Sequence, residues 1–180
     1  MIKGLIFDLD GVLVDTAKYH YKAWKDLAAS LGFDFSEKDN EKLKGVSRMT
    51  SLDILLKTGN ITHLSDEKKE ELAHTKNTQY VAYIDKMQPD EILPGALEFL
   101  QAAKNDGYKI ALGSASKNAE RIINRLKIKQ YFDAIIDGTK VAKAKPDPEV
   151  FLKGAEEMGI EPEECIVFED AQAGIEAAKN

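Results

Sequence analysis

The stretch Phe7-Asp8-Leu9-Asp10-Gly11-Val12 decides the fold expected of this chain. It closes an apolar run, Ile2 to Phe7, of the short and non-alternating kind that is typical of a strand buried on both faces. The two carboxylates that follow can point into one site if the chain turns there, and Gly11 permits a tight turn. Because like charges repel, Asp8 and Asp10 indicate a bound cation or a shared proton.

Three further apolar runs predict strands of the same sheet. They are Ile110–Leu112, Ile166–Phe168 and, more weakly, Ala134–Ile136. Between them lie segments with helical spacing, at Pro94–Asn105, from an N-cap at Ser116 to Leu126, and at Pro148–Met158 before Gly159. Strands that alternate with helices predict an α/β fold with a parallel sheet and right-handed crossovers.

Polar residues follow these apolar runs at the point where each strand should end. Ser114 follows the second run, and Glu169-Asp170 follow the last one. Ligands of open parallel sheets bind beyond the carboxyl ends of the strands. We therefore expect Ser114, Glu169 and Asp170 to lie near Asp8 and Asp10.

The segment 15–88 has a different pattern, without a clear strand run. Apolar residues recur at helical spacing in three stretches, led by Tyr19, by Leu52 and by Ser65 as a possible N-cap. This pattern predicts an all-helical insert over 15–88, between core segments 1–14 and 89–180.

Composition limits the classes of partner. The 180 residues are 43% hydrophobic and carry a net charge of −6, which argues against non-specific nucleic-acid binding. No apolar span is long enough for a membrane helix, and the start, Met1 to Leu9, does not resemble a signal peptide. We expect a cytoplasmic monomer that acts on a small molecule.

The acidic residues fit magnesium-dependent phosphoryl transfer. A carboxylate held near a hard divalent cation is a usable nucleophile towards phosphorus, and a second carboxylate can move the proton. Ser114 and the amides after it suit a phosphate oxygen, and Lys145 could neutralise one. Taken singly, Asp8-x-Asp10-Gly11 also occurs in turns and calcium loops, and Glu169-Asp170 could be an exposed helix start.

In these motifs the sequence resembles the haloacid dehalogenase superfamily. The nucleophile motif is Asp8 to Val12, the phosphate-binding serine is Ser114, the lysine is Lys145, and the acidic pair is Glu169-Asp170. The resemblance implies a Rossmann-like core with 15–88 as a helical cap, Asp8 as the nucleophile and Asp10 as the general acid/base. It also implies Mg²⁺ held by Asp8, the backbone carbonyl of Asp10 and Asp170, with Glu169 in or beside the shell.

Further matches lie at 7–24, 43–48, 51–52 and 76–77, and at 114–118 in the core. They narrow the resemblance to the branch of that superfamily that moves phosphate within a hexose phosphate. The branch implies interconversion of β-glucose 1-phosphate and glucose 6-phosphate through a bisphosphate and an aspartyl-phosphate. The residues that it implies for substrate and phosphate binding are Ser114, Ala115, Ser116, Lys117, Asn118, Lys145, Lys44, Gly45, Val46, Arg48, Ser51, Trp24, Lys76 and His20.

Two alternative functions, and other interpretations of single residues, remain open at this point. A phosphatase of small sugar or nucleotide phosphates would use the same core, and a non-catalytic binding module could keep the fold as a scaffold. Arg48 could be a surface charge, Lys76 a solvated residue and Trp24 part of the packed interior of the insert. Because this superfamily normally continues past the acidic motif, we expect either a truncated chain or an incomplete sheet, with an exposed edge.

Overall fold

The structure is a computed structural model that describes residues 1–43 and 47–180. The chain forms two compact units. One comprises residues 1–15 and 85–180, and the other comprises residues 16–84. The predicted boundaries at 15 and 88 lie close to these divisions, and the assignment of the second unit as a cap stays a prediction.

The unit of residues 16–84 is built from helices. They are α1 (Ala17–Ser30), α2 (Glu37–Asn40), α3 (Arg48–Thr58) and α4 (Asp66–Ile84). Their apolar faces meet in one interior, whose buried members include Trp24, Leu27, Phe35, Leu52, Leu55 and Leu72. The helical spacing of the sequence predicted α1, α3 and α4, whereas the four residues of α2 are too few to show a period. In the part of the chain that the structure describes, no helix is long and apolar enough to span a membrane.

The other unit contains a parallel sheet of four strands. They are β1 (Gly4–Phe7), β2 (Lys109–Gly113), β3 (Ala134–Ile136) and β4 (Cys165–Phe168), in the order β3-β2-β1-β4. Every pairing is parallel, and Leu5 of β1 lies opposite Ile110 and Ile166 on its two neighbours. The predicted α/β fold with a parallel sheet is confirmed, and β1 is buried along its whole length.

Four helices accompany the sheet. They are α5 (Ala96–Asn105), α6 (Ala119–Arg125), α7 (Glu149–Met158) and α8 (Gln172–Lys179). Gly159 ends α7 in a left-handed conformation, with φ of 68°, as its position predicted. Packing of α7 against β1, β2 and β3 buries residues such as Val150, Phe151 and Ala155.

The predicted N-cap of α6 at Ser116 is wrong, because the residue before the helix is Asn118. The Ser116 hydroxyl instead accepts a hydrogen bond from the Asn118 amide at 3.2 Å. Ser114 makes the same kind of bond with the Ser116 amide, at 3.1 Å. These local bonds hold 114–118 as a turn, so the helix starts later than the hydroxyl pattern predicted.

The predicted strand at Ile166–Phe168 is present as β4, but it is less buried than β1. β4 lies at the edge of the sheet, and 43% of Ile166 is exposed. Phe168 is better covered, since its ring stacks on Phe7 at a centroid distance of 4.5 Å and meets the edge of Phe99. An apolar run indicates that a strand is suited to burial. The position of the strand in the sheet, at the centre or at the edge, determines whether it is buried.

Candidate active site

The candidate site begins at the carboxyl end of β1, where Asp8 leaves the sheet. The Asp8 amide donates to the carbonyl oxygen of Phe168 at 2.9 Å, so the backbone of this residue is still held by β4. The side chain lies in the interior, with 7% of the residue exposed. A buried carboxylate needs partners, because isolated charge is costly away from water.

Lys145 supplies that partner and joins two acids. Its Nζ lies 2.7 Å from Oδ1 of Asp8 and 2.6 Å from Oε2 of Glu169. The same ammonium lies 4.8 Å from the centre of the Phe151 ring, within the range of a cation–π contact. Three elements far apart in sequence therefore meet at one cation.

Burial dominates the protonation of Asp8 and raises the pKa of its carboxyl to about 7. Lys145 lowers this pKa, and the neighbouring charge of Glu169 raises it again. Near neutral pH the carboxyl is then shared between its acid and anionic forms. Further positive charge at the site would favour the anion, which is the form that can act as a nucleophile.

Three carboxylates cluster at this end of the sheet. One oxygen from each of Asp8, Glu169 and Asp170 lies within 4.8 Å of the others. Oxygen-only donor sets of this kind suit hard cations such as Mg²⁺. Asp10, which follows Asp8 by two residues, is half-buried. The binding of a metal ion by its backbone carbonyl stays a prediction.

Two glycines make room for these acids because they lack a Cβ atom. A Cβ at Gly11 would overlap the Asp170 carboxylate, and the φ of 80° at Gly11 already disfavours any other residue. A Cβ at Gly174 would overlap the carboxylate group of Glu169. The sequence predicted a turn at Gly11 and gave no signal for Gly174, whose need for a small residue arises only in the folded chain.

The segment 114–118 follows β2 at the same edge of the sheet. Ser114 is buried, and its amide donates to the carbonyl oxygen of Ile136 on β3 at 2.9 Å. Ser116 and Asn118 are half-buried, whereas Ala115 and Lys117 are exposed. This turn before α6 offers hydroxyls and amides of the type that bind phosphate oxygens.

The predicted substrate residues of the helical unit form a second group. Lys76 is buried, and its Nζ lies 2.8 Å from Nδ1 of His20 and 4.6 Å from the centre of the Trp24 ring. Burial lowers the pKa of Lys76 to about 7 and that of His20 to about 3. Trp24 and Ser51 are buried in this unit.

Arg48 has a partner that the sequence did not reveal. Its Nη2 donates to Oδ1 of Asn77 at 2.8 Å, while the side chains remain near the surface. Lys44, Gly45 and Val46, which the resemblance implies for substrate binding, lie outside the described residues.

The structure thus brings together Asp8, Lys145, Glu169 and Asp170, with Ser114 on the neighbouring strand end. A buried carboxylate beside a lysine and two further acids can attack phosphorus once a cation balances the charge. The contact of Phe151 with Lys145 was missed, because an apolar residue on an amphipathic helix gives no sign that it faces a cation.

Comparisons with known proteins agree with this chemistry. A family described as haloacid dehalogenase-like hydrolase matches residues 2–180. The β-phosphoglucomutase of Bacillus subtilis (strain 168) is 46% identical over 180 residues, which are 99% of this chain and 80% of that protein. The phosphorylated carbohydrates phosphatase of Thermotoga maritima is 31% identical over 181 aligned residues, covering 99% of this chain and 81% of its own length.

A solved structure gives the same result in three dimensions. The crystal structure of β-phosphoglucomutase from Clostridium difficile matches with a TM-score of 0.88 and 48% identity, over 99% of this chain and 81% of that one. Since the family match runs through the four motifs and nearly the whole sequence, the chain belongs to the haloacid dehalogenase-like hydrolase family.

Proposed function

We propose that the protein is a β-phosphoglucomutase, which interconverts β-glucose 1-phosphate and glucose 6-phosphate. The observation that carries the phosphoryl-transfer chemistry is the placement of Lys145 between Asp8 and Glu169. The hexose phosphate is supported by identity of 46% to the enzyme of that name from Bacillus subtilis.

Asp8 is the proposed nucleophile. One carboxylate oxygen of Asp8 forms a bond to the phosphorus of glucose 1,6-bisphosphate, while the bond from phosphorus to the sugar oxygen breaks. Asp10 gives its proton to that leaving oxygen, and in the reverse half-reaction it takes the proton from the attacking hydroxyl. The phosphoryl group on Asp8 then passes to the free hydroxyl of the next hexose phosphate.

Mg²⁺ is the proposed cofactor, with Asp8, the carbonyl of Asp10, and Asp170 as ligands and Glu169 in or beside the shell. When bound, it supplies positive charge that balances the phosphate oxygens and the clustered acids. Lys145 adds a second positive charge at Asp8, and Ser114 to Asn118 are proposed to bind the transferring phosphoryl group.

Residues of the helical unit are proposed to recognise the rest of the substrate. Arg48 would bind the phosphate that is not being transferred, since a guanidinium pairs with phosphate through two donors. Ser51, Trp24, Lys76 and His20 would contribute to the sugar site, as would Lys44, Gly45 and Val46. We further propose that the enzyme acts as a cytoplasmic monomer, without a nucleic-acid or membrane partner.

A phosphatase is the second candidate, because a relative with 31% identity is a phosphorylated carbohydrates phosphatase. The two functions share the aspartyl-phosphate and differ in what attacks it. A mutase passes the phosphoryl group to a sugar hydroxyl, whereas a phosphatase passes it to water.

Phosphorus NMR tests the proposal directly. The protein is mixed with Mg²⁺, β-glucose 1-phosphate and a trace of glucose 1,6-bisphosphate. Glucose 6-phosphate without inorganic phosphate is expected. Inorganic phosphate as the main product would make the phosphatase correct, and Asp8→Asn serves as the inactive control.

A further inference from the structure

A carboxylate that the motifs do not include binds the backbone amides of the loop that carries Lys145 and attaches this loop to α7. Glu149, the first residue of α7, accepts hydrogen bonds from two successive loop amides. Its Oε2 lies 3.0 Å from the Ala142 nitrogen and 2.8 Å from the Lys143 nitrogen, and its Oε1 lies 3.1 Å from the Ala142 nitrogen. Charged acceptors make such bonds stronger than neutral ones do.

Lys153 reinforces this attachment from the next turn of α7. Its Nζ lies 2.7 Å from Oε1 of Glu149 and 2.7 Å from the carbonyl oxygen of Lys140. The bond from Lys153 holds the carboxylate in place, and the contact to Lys140 secures the loop at a second point. The helix therefore fixes 140–143, and Ala144 alone separates this segment from Lys145.

The charge of Glu149 persists under assay conditions. The ion pair with Lys153, followed by the amide bonds from Ala142 and Lys143, lowers the pKa of Glu149 to about 2. The carboxyl is therefore ionised at neutral pH, and both of its oxygens are available as acceptors.

We propose that Glu149 is a positioning residue for phosphoryl transfer, which holds the loop so that Lys145 reaches Asp8 and Glu169. The proposal rests on the proposed function, because it assumes that Lys145 acts on the phosphoryl group. Glu149 makes its contacts with loop amides and Lys153, so it acts through Lys145. Misplacement of a catalytic group by about 1 Å can cost about 100-fold in rate.

Phosphorylation of Asp8 by acetyl phosphate with Mg²⁺ provides the test, because it requires the core site and no hexose. In this step an Asp8 oxygen bonds to phosphorus and acetate leaves. We expect Glu149→Ala to slow the step about 10-fold or more, mainly in the maximal rate. Glu149→Gln keeps one acceptor oxygen and should recover part of that loss.

Glu157→Gln is the matched control, since Glu157 lies on the same helix and pairs through its side chain with Lys140 at 3.3 Å. Its phosphorylation rate should equal that of the wild type. A structural role for Glu149 would lower the melting temperature and leave the rate of the folded protein unchanged, and that result would overturn the proposal.

A double-mutant cycle with Lys145→Met shows whether Glu149 affects the phosphorylation rate through Lys145 or independently of it. If Glu149 acts through Lys145, adding Glu149→Ala to Lys145→Met causes no further loss. Losses that multiply would overturn the proposal. If Glu149→Ala does not fold, the same cycle with Glu149→Gln decides.

The same assays distinguish a failure of the proposed mutase function from a failure of the proposed role of Glu149. Asp8 phosphorylation without formation of glucose 6-phosphate would remove the mutase and leave the role of Glu149 measurable. Absence of Asp8 phosphorylation in the wild type would overturn both.

Discussion

The ammonium of Lys76 lies 2.8 Å from Nδ1 of His20 in the interior of the helical unit. The low pKa of His20, about 3, keeps its imidazole neutral, so that Nδ1 can accept the hydrogen bond. The rings of Trp24 and Tyr80 lie 4.6 and 4.9 Å from the same ammonium. A neutral acceptor and ring faces compensate only partly for burying a cation, which explains why burial lowers the pKa of Lys76 to about 7.

This lowered pKa makes a pH-dependent contribution to stability. Between about pH 7 and 10.5 the unfolded chain binds a proton at Lys76 that the folded protein lacks, so the free energy of unfolding should rise with pH across that window. Lys76→Met should therefore stabilise the protein below about pH 7, by about 1–3 kcal/mol, and should lose this advantage as the pH rises. Urea unfolding at several pH values measures the effect.

Lys68→Met is the control for Lys76, because Lys68 lies exposed on the same helix and pairs with Glu71. Its unfolding free energy should follow that of the wild type within about 0.5 kcal/mol at each pH. An unchanged pH slope in Lys76→Met would mean that Lys76 is not the titrating group.

Gly11 should strengthen metal binding, because it leaves room for the Asp170 carboxylate. In Gly11→Ala the new methyl group would overlap the Asp170 carboxylate, so that this oxygen donor must move. We expect Mg²⁺ affinity, measured by isothermal titration calorimetry, to fall about 10-fold or more.

Gly107→Ala separates this overlap from backbone strain. Gly107 has a φ of 84°, close to the 80° of Gly11, but among the described residues no atom beyond Gly107 and its two chain neighbours lies within 4 Å of the position of its Cβ. It should lose about 1 kcal/mol of stability and keep its Mg²⁺ affinity. Equal losses of affinity in both variants would show that strain, rather than the approach of Asp170, is responsible.

Lys145→Met should abolish most of the phosphoryl transfer. The variant removes the cation that contacts Asp8 and Glu169, and its apolar side chain supplies no donor for the phosphate oxygens. Asp8 phosphorylation by acetyl phosphate should slow by about 10²–10³-fold. Rapid-quench measurement of the phosphorylated protein gives the rate.

Lys143→Met is the matched control on the same loop, since Lys143 pairs with Asp147 at the surface, at 3.4 Å. Its phosphorylation rate should stay within about twofold of the wild type. If Lys143→Met were as slow as Lys145→Met, the general charge of the loop would matter more than the contact with Asp8.

The residues that end strands were predictable from sequence, because a buried strand is apolar whereas the site residues that follow it are acidic or polar. The apolar run before Asp8 and the one before Glu169 each stop at an acid, and parallel strands bring their carboxyl ends to one edge. For Lys145 the sequence indicated only that it could neutralise a phosphate, and the structure places its ammonium against both Asp8 and Glu169.

The residues that support this arrangement were not predictable, since their contacts exist only after folding. Nothing in the sequence indicates that Gly174 contacts Glu169, or that Glu149 binds the amides of the loop that carries Lys145. Local hydrogen bonding misled the prediction at Ser116, whose hydroxyl forms a turn instead of a cap. The exposure of Ile166 depends on the place of β4 in the sheet, which an apolar run does not encode.

Asp10→Asn should separate the two halves of the proposed reaction. Asparagine keeps the backbone carbonyl that is proposed to bind Mg²⁺, so the affinity for Mg²⁺ should change little. Acetate is a weak base that leaves without a proton, so acetyl phosphate should still phosphorylate Asp8. Transfer between sugars requires a proton at the hydroxyl oxygen, and this step should slow by about 10²–10⁴-fold.

Both rates can be measured on one preparation, by quenching the acetyl phosphate reaction and by following glucose 6-phosphate. Asp8→Asn is the control, because it should fail in both assays. Equal losses in the two assays for Asp10→Asn would mean that Asp10 acts by organising the site rather than by moving a proton. Unchanged mutase turnover would exclude Asp10 as the general acid/base and would direct the search to another proton carrier near the sugar.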